Sequence, residues 1–235
     1  MTPVALIAGA GGAGAATAAE FARRGFHVVV LDTRLEAAGA AVEPLRQAGL
    51  AAEAVSIDLL DVGEVTALRD DLVARLGSVD VVVHLVGGWR GSKSLGLESI
   101  DNWNALNPPV VGTLVTLTSV FGATVRASDQ GRIFMVTSTT AAKPTAGNIA
   151  YAAAKSAAEA WMTGIADFFD ESPARSVTVA VKALLTDQMI AGDPDKAWPG
   201  YTHVAVLASA IADASTGPVD NGRRLDLTRE EYSGA

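Results

Sequence analysis

The sequence predicts an α/β fold, a doubly wound parallel sheet with helices on both faces, from three observations. Short apolar runs without polar alternation, typical of strands buried on both sides, alternate with segments predicted to be helical. This strict alternation indicates βαβ units with right-handed crossovers. Candidate polar residues directly follow the apolar runs, where parallel sheets bind their ligands. We expect one domain over residues 1–235, because α/β folds of this length commonly stay undivided.

Composition excludes several classes of protein. Eighteen basic and 26 acidic residues give a net charge of −8 without a basic cluster, which argues against nucleic acid or an anionic membrane as a partner. The chain has no cysteine, and its three histidines are scattered, so no metal site is expected. The apolar N-terminus lacks the basic leader of a signal peptide, and no apolar run is expected to span a bilayer. We therefore expect a cytoplasmic protein.

A glycine-rich turn follows the first predicted strand, residues 4–8. Gly9, Gly11 and Gly14 have the G-x-G-x-x-G spacing and open a helix that ends near Gly25. Glycines permit the tight turn and let the backbone approach a pyrophosphate, while the helix N-terminus supplies amide donors. The motif alone is a weak signal. A strand before it and a helix after it make a dinucleotide site the preferred interpretation.

The second predicted strand, residues 27–31, ends in Asp32, 18 residues beyond Gly14. A carboxylate at this distance is expected on the adenosine ribose hydroxyls, and it repels a 2′-phosphate, which favours NAD over NADP. Arg34 is an argument for NADP, because an arginine two positions further along can accept that phosphate. Asp32 also has a simpler explanation as the cap of the helix that starts near Leu35.

The alternation continues to the end of the chain. Further predicted strands cover residues 51–57, 79–86, 132–137, 176–182 and 223–227. Further predicted helices cover residues 35–47, 62–76 and 201–214. Another helical stretch begins near residue 99 and is interrupted by Pro108 and Pro109, and the helix that carries Tyr151 ends near residue 169. The polar, proline-containing residues 188–199 are predicted to form a flexible lid over a substrate, and residues 229–235 a frayed tail.

The stretch from Ser138 to Lys155 suggests a reaction. Tyr151 and Lys155 are four residues apart in an alanine-rich helix, so their side chains share one face. A phenol titrates near ~10, and a neighbouring ammonium lowers its pKa towards the range in which acid–base catalysis is efficient. Ser138, at the end of a strand, would hold a substrate carbonyl against that phenol. The alternative is a plain helix with an exposed lysine, because Y-x-x-x-K recurs by chance.

In this combination and order, these motifs resemble the short-chain dehydrogenase/reductase family over essentially the whole chain. The residues that carry the resemblance are the glycine turn, Asp32, Asp58, Ser138, Tyr151 and Lys155. The resemblance implies a Rossmann-like sheet of about seven strands. It also implies an enzyme that interconverts a secondary alcohol and a ketone by hydride transfer with NAD(P), on a small-molecule alcohol or carbonyl substrate.

The resemblance further assigns roles to single residues. Tyr151 would be the catalytic acid/base, Lys155 would bind the nicotinamide ribose and lower the pKa of the phenol, and Ser138 would orient the substrate oxygen. Asp58 would contact the adenine, and Thr186 would hydrogen-bond the cofactor. The expected cofactor site comprises Gly9, Gly11, Gly12, Gly14, Asp32, Asp58, Gly87, Tyr151, Lys155 and Thr186.

Several positions depart from the family pattern. Ala8, Ala13 and Ala15 replace a threonine and two glycines of the family's turn. His84 stands at the first asparagine of the family's Asn-Asn-Ala-Gly, where a buried structural role is favoured. The family's catalytic asparagine has no clean match. Counting back from Gly112 puts Pro109 at its usual place, and Asn107, two residues earlier, is the candidate for its catalytic role.

Lys182 and Ala183 replace the Pro-Gly pair that usually follows the sixth strand. Lys182 is then either a solvated lysine at a strand end or a positive charge near the cofactor phosphates or an acidic substrate. These departures support a second hypothesis, a dinucleotide-binding protein without efficient turnover that serves as a sensor or a structural subunit. A third hypothesis is isomerisation or dehydration with the same cofactor. The intact Ser138, Tyr151 and Lys155 favour the NAD-dependent oxidoreductase.

The helices around residues 107–127 and 149–169 are apolar on more than one face. A helix that is apolar all round is buried, so its second face needs a partner. In the family these two helices commonly build a dimer interface, and we expect a homodimer or homotetramer.

Overall fold

The computed structural model describes residues 2–229, which form nine strands. The strands are β1 (Val4–Ala8), β2 (His27–Asp32), β3 (Ala52–Ser56), β4 (Val81–His84), β5 (Arg132–Ser138), β6 (Arg175–Val181), β7 (Ala183–Leu185), β8 (Tyr201–His203) and β9 (Arg223–Asp226). Seven of them form one parallel sheet in the order β3-β2-β1-β4-β5-β6-β9, and β7 pairs with β8 in a small second sheet. The predicted doubly wound sheet is thereby confirmed.

The helices are α1 (Gly12–Arg23), α2 (Leu35–Gln47), α3 (Val62–Leu76), α4 (Glu98–Asn107), α5 (Thr113–Arg126), α6 (Ile149–Phe168), α7 (Asp187–Gly192) and α8 (Val204–Thr216). A wider π-helical turn, Pro108–Gly112, joins α4 to α5. Because proline donates no backbone N–H and crowds the preceding turn, Pro108 and Pro109 change the helical geometry without ending the helix.

Two hydrophobic cores lie on the two faces of the sheet, because successive strand residues point to opposite sides. On one face, Leu6 and Ile133 are fully buried together with residues of α3, α5 and α6, such as Phe121. On the other face, Ile7 and Phe21 are buried together with residues of α1, α2 and α8. This three-layer arrangement explains why the strands read as continuous apolar runs.

The order of the strands opens a crevice beside β1. This strand pairs with β2 on one side and with β4 on the other, so the connections that leave β1 and β4 diverge at their carboxyl ends. The glycine turn after β1 and residues 85–88 after β4 line this crevice. The topology therefore places the dinucleotide motif at the usual binding edge of such a sheet.

The structure differs from two predicted elements. The predicted lid, residues 188–199, is not a plain loop, because α7 begins at Asp187 and extends to Gly192. Tyr201 does not start a helix but a three-residue strand, and α8 begins only at Val204. The predicted tail, residues 229–235, lies outside the described residues except for Arg229.

The continuous helical stretch Glu98–Arg126 is long and apolar enough to cross a membrane, judged by length and composition alone. Length and composition alone are weak evidence for a membrane span. Of its most apolar window, 44% is buried inside the fold, where Leu114, Leu117 and Phe121 pack in the core. The buried core helix of a soluble protein has the same properties.

Candidate active site

The glycine turn is shaped by two close backbone approaches. Gly9 has a φ of +100°, and a Cβ on it would lie 3.2 Å from the Leu85 carbonyl carbon. A Cβ on Gly14 would lie 1.8 Å from the Gly9 carbonyl oxygen, so no other residue fits there. A Cβ on Gly11 would have no atom within 4 Å, so the outer side of the turn is open. The glycine spacing therefore combines close backbone packing at Gly9 and Gly14 with an accessible surface at Gly11.

Asp32, at the end of β2, is fixed by backbone donors. Its Oδ2 accepts from the Ala10 N–H at 3.0 Å, and its Oδ1 accepts from the Arg34 N–H at 3.0 Å. Burial, the largest single effect, disfavours the charged form, but the two backbone hydrogen bonds and the Arg34 side chain together outweigh it and lower the pKa of Asp32. The Arg34 side chain is 76% exposed, with Nε 3.6 Å from the same carboxylate. The site thus holds an ionised carboxylate with an arginine at its outer rim.

A cavity of about 240 Å³ lies beside Asp32. Its lining includes Gly9, Asp58, Leu59 and Val86. Asp58 is exposed, and its Oδ1 accepts from the Leu60 N–H at 2.9 Å, which orients the carboxylate. An apolar wall with two carboxylates at its edge is suited to a flat ring attached to a sugar.

A larger cavity of about 600 Å³ adjoins the first one through Val86. Ser138, Tyr151 and Lys155 all line it, although 13 residues separate the serine from the tyrosine. Ser138 ends β5, and the other two residues lie one turn apart on α6. The structure therefore brings the three expected catalytic side chains to one place, beside the glycine turn.

Lys155 is almost completely buried, and its Nζ donates to the Val136 carbonyl oxygen at 2.7 Å. Burial lowers the pKa of Lys155 to about 8, while the Glu159 carboxylate one turn further along α6 acts in the opposite direction. The Nζ lies 6.0 Å from the centroid of the Tyr151 ring. This ammonium is thus held under the phenol by a backbone carbonyl of β5.

Tyr151 differs from the expectation drawn from the sequence. Burial raises the pKa of Tyr151, and a hydrogen bond with Ser138 lowers it by less. The predicted lowering by Lys155 is therefore wrong for the protein without a ligand. The physical reason is that burial desolvates the phenolate, and this effect is larger than that of the hydrogen bond with Ser138.

The Ser138 hydroxyl is fixed by the residue two positions further along. Its Oγ accepts from the Thr140 N–H at 3.3 Å and from the Thr140 hydroxyl at 3.0 Å. Thr140 lines the larger cavity as well, and so does Tyr201 of β8. Sequence reasoning missed both residues. A threonine two residues after the serine was a possible signal, whereas the position of Tyr201 depends on the pairing of β7 with β8.

Gly87 lies in the larger cavity, and Thr186 lies beside the glycine turn. Gly87 lines the larger cavity with a φ of +137°. A Cβ on Gly12 would lie 2.7 Å from the Thr186 Cγ2, so this methyl group covers the start of α1. The Thr186 hydroxyl accepts from the Met189 N–H and caps α7.

Asn107 is the expected catalytic residue that lines neither cavity. It is half-buried at the end of α4. Pro109, which stands at the family's asparagine position, lines the smaller cavity. Neither residue places an amide beside Lys155.

His84 links β4 to α5. Its ring Nε2 lies 2.8 Å from the Thr113 hydroxyl, which itself donates to the Pro109 carbonyl oxygen, so Nε2 carries the proton and donates. Burial, with a smaller effect of the Lys155 charge, lowers the pKa of His84 to about 3. The residue is therefore a neutral structural link, in agreement with the favoured interpretation. Within residues 2–229, no three His, Cys, Asp or Glu side chains are arranged to hold a metal ion.

Comparison with known proteins places these features in a family. The family model described as "short chain dehydrogenase" matches residues 3–192. The 7alpha-hydroxysteroid dehydrogenase of Escherichia coli (strain K12) is 31% identical over 186 residues, which cover 79% of this chain and 72% of that protein.

Two solved structures illustrate the similarity of fold. The blue fluorescent protein from a metagenomic library, in complex with NADPH, has a TM-score of 0.82 at 25% identity and covers 96% of both chains. A Haemophilus influenza protein solved with bound NAD has a TM-score of 0.83 at 19% identity, covering 98% of this chain and 95% of that one. The latter similarity concerns the fold alone.

The neutral His84 predicts a stability that depends on pH. Between its ordinary pKa of 6.5 and its folded value of about 3, the unfolded chain binds a proton that the folded chain does not. The free energy of unfolding therefore falls as the pH drops below about 6.5. At pH 5, His84 alone should cost roughly 2 kcal/mol relative to pH 7.5.

Urea unfolding of the wild type and of His84→Asn, at pH 7.5 and at pH 5, measures this contribution. The difference between the two proteins should shift by that amount in favour of the variant at the lower pH, while the other titrating groups cancel. A difference that is independent of pH would contradict the assignment.

Proposed function

The chain belongs to the short-chain dehydrogenase/reductase family and is an NAD(P)-dependent oxidoreductase of alcohols and ketones, and from this premise we propose how its own residues carry out the reaction. The observation that carries the proposal is the convergence of Ser138, Tyr151 and Lys155 on one cavity beside the glycine turn. We propose Tyr151 as the catalytic acid/base, Ser138 as the group that orients the substrate oxygen, and Lys155 as the cation beneath them.

The residues around the crevice fit a nicotinamide dinucleotide. The first turn of α1 carries no acidic residue, and no side chain caps it, so its free amides remain available for a pyrophosphate. The ionised Asp32 supports a role on the adenosine ribose, and the smaller cavity supports a role in holding the adenine. When bound, the dinucleotide supplies or accepts the hydride.

The chain's residues manage the proton. In the reduction of a ketone, the Tyr151 hydroxyl donates its proton to the carbonyl oxygen, which Ser138 holds by a hydrogen bond. The raised pKa of Tyr151 keeps the phenol protonated at neutral pH, which favours this direction. In the oxidation of an alcohol the phenolate oxygen of Tyr151 accepts the proton, and the Lys155 ammonium stabilises this phenolate before the transfer. Since Asn107 lies outside the cavity, the proposal assigns it no step.

The altered glycine turn and the replaced asparagine supported a second hypothesis, a dinucleotide-binding subunit with little turnover. The backbone of the turn is nevertheless closely packed, and Ser138, Tyr151 and Lys155 meet in one cavity. These observations favour the enzyme.

We propose NAD as the preferred cofactor and the cytoplasm, which holds a soluble dinucleotide pool, as the location. Asp32 supports NAD because an ionised carboxylate on the ribose hydroxyls repels a 2′-phosphate. Arg34 is the counter-argument, but its guanidinium lies 3.6 Å from Asp32 and is partly neutralised by it.

We propose a homodimer or homotetramer that associates through α5 and α6. Between these helices lies an apolar depression of about 490 Å³, lined by Gly122, Trp161 and Phe168. Trp161 is 39% exposed and Phe168 is 48% exposed. Large apolar side chains grouped in this way on a surface mark an association site.

Replacement of Tyr151 by Phe tests the central assignment. The variant lacks only the hydroxyl that transfers the proton, so kcat for a ketone substrate should fall by about 10²–10⁴-fold. The dissociation constant of NADH, measured by fluorescence titration, should change by less than about threefold. Tyr201→Phe removes another hydroxyl from the same cavity and should keep most of the activity. A Tyr151→Phe enzyme at full rate would refute the assignment.

Replacement of Asp32 by Ala tests the cofactor preference. Without the carboxylate, repulsion of the 2′-phosphate disappears, and the ratio of the NADPH to the NADH dissociation constant should fall by about tenfold. Arg34→Ala is the matched control, and its NADH affinity should stay within about threefold of the wild type. Tighter binding of NADPH than of NADH by the wild type would reverse the proposal.

Light scattering after size exclusion tests the assembly. The wild type should have a mass of at least twice 24.0 kDa at micromolar concentration. Phe168→Glu places a charge in the apolar depression and should yield a folded monomer. Leu97→Glu, at a position that is 83% exposed outside this surface, should keep the assembly. A monomeric wild type contradicts the proposal.

A further inference from the structure

A further cavity, of about 540 Å³, lies at the carboxyl ends of β5, β6 and β9. It adjoins the larger cavity lined by Ser138, Tyr151 and Lys155, which we call the catalytic cavity, and the two share Thr140 and Lys182. The further cavity is also lined by Lys143, Arg224 and Asp226, so three of its side chains are cationic and one is anionic. We call it the basic cavity. A positive cavity is notable in a chain of net charge −8, because the overall composition does not predict one.

The charges of Arg224 and Asp226 are already compensated. Arg224 Nη1 lies 3.6 Å from Asp226 Oδ2, and its Nη2 lies 3.8 Å from Glu159 Oε1. Asp226 also accepts hydrogen bonds from the Thr228 hydroxyl and backbone N–H, which lower the pKa of Asp226. Arg224 and Asp226 therefore line the cavity, and its uncompensated positive charge comes from Lys143 and Lys182.

Lys143 and Lys182 form no ion pair with the described residues. Within residues 2–229, neither ammonium lies within 4.0 Å of a carboxylate. The Lys182 Nζ donates to the Pro199 carbonyl oxygen at 3.3 Å, a neutral acceptor that leaves the charge uncancelled. An ammonium has three donors, so Lys182 retains donors for a ligand.

Lys182 is also held in place. Its stem lies against Gly200, where an added Cβ would be 3.1 Å from Lys182 Cδ and 3.2 Å from Nζ. Gly200 has a φ of +74°, a conformation that favours glycine, and it ends the segment that follows α7. The close backbone and the bond to Pro199 together fix the ammonium at the junction of the two cavities.

Thr140 connects this junction to the chemistry. Its hydroxyl donates to Ser138 Oγ at 3.0 Å, and Ser138 interacts with Tyr151. Because Lys182 lines the same cavity, a substrate whose carbonyl lies between Ser138 and Tyr151 has room to extend past Thr140 towards Lys182. The group that reaches the basic cavity lies opposite two unpaired ammonium ions.

We propose that the substrate of this enzyme is an anion whose carboxylate or phosphate group is remote from the reacting carbon. Lys182 and Lys143 bind this group in the basic cavity. An ammonium acts on both kinds of anion as a point charge, so the shared chemistry is an oxyanion. The proposal rests on the function proposed above and decides between the two interpretations of Lys182 in favour of an acidic substrate.

Matched pairs of carbonyl compounds test the charge. For the carboxylate, acetoacetate, levulinate and 5-oxohexanoate are each compared with their methyl esters. For the phosphate, dihydroxyacetone phosphate is compared with dihydroxyacetone. The wild type should prefer the anion over its neutral partner by about tenfold or more in kcat/KM for at least one pair. This preference should decrease as the salt concentration rises.

Lys182→Met and Lys143→Met then locate the preference. Each variant should lose about tenfold in kcat/KM for the preferred anion, mainly through KM, and less than about twofold for the neutral partner. Lys93→Met removes the same charge from a residue outside both cavities and should behave as the wild type. NADH affinity should be unchanged in all three variants, whereas a loss in Lys182→Met would assign the charge to the cofactor phosphates and overturn the proposal.

Saturation-transfer NMR of the same pairs with the NADH-bound protein gives a readout that needs no turnover. Levulinate should show contact with the wild type and lose it in Lys182→Met. Equal behaviour of anion and ester in both assays, with Tyr151-dependent reduction of neutral ketones, would overturn the anionic substrate and leave the oxidoreductase intact. If the enzyme reduced no carbonyl compound, the proposed function would fail instead. The NMR comparison would still show whether the basic cavity binds the anion.

Discussion

The buried amino group of Lys155 and its 2.7 Å hydrogen bond to the Val136 carbonyl are the interaction on which the candidate site depends. This bond fixes the position of α6 along β5. Tyr151 lies one turn before Lys155, and Ser138 lies two residues after Val136, so one contact places the phenol against the serine. The cost is desolvation of an ammonium, which is why the pKa of Lys155 falls to about 8. The cation also helps to keep His84 neutral.

Burial, more than ion pairing, sets the pKa values of Tyr151 and Lys155 in the site. In the protein without a ligand, burial raises the pKa of Tyr151, so the phenol is a proton donor at neutral pH. Negative charge is concentrated beside Asp32, at the end that we propose for the adenosine. Positive charge is concentrated at the opposite end, in the basic cavity with Lys143 and Lys182. The crevice is thus polarised along its length, with the proposed catalytic residues between the two ends.

The sequence was sufficient to predict most of the fold, because alternating apolar runs and glycine turns are local signals. The glycines after β1 were expected to permit a tight turn, and Gly9 and Gly14 are indeed packed closely against neighbouring backbone. Tyr201 was placed wrongly in a helix because three residues of β8 pair with β7 across 15 intervening residues, a contact that leaves no local pattern. The direction of the Tyr151 pKa was also wrong, because a spacing of four residues shows which side chains are neighbours and not how deeply they are buried. Asn107 was chosen by its distance along the chain, which the π-helical turn at Pro108–Gly112 makes unreliable.

The most direct test of this account is the pKa of Lys155, measured by NMR titration of side-chain-labelled lysine. The chain has five lysines, and Lys155→Met identifies the signal of Lys155. The account predicts that this amine titrates near pH 8 in the protein without a ligand. A value at or above 10.5, the ordinary value of a lysine, would show that the ammonium is solvated or paired with an anion. In that case the buried contact with Val136 would not be what positions Tyr151.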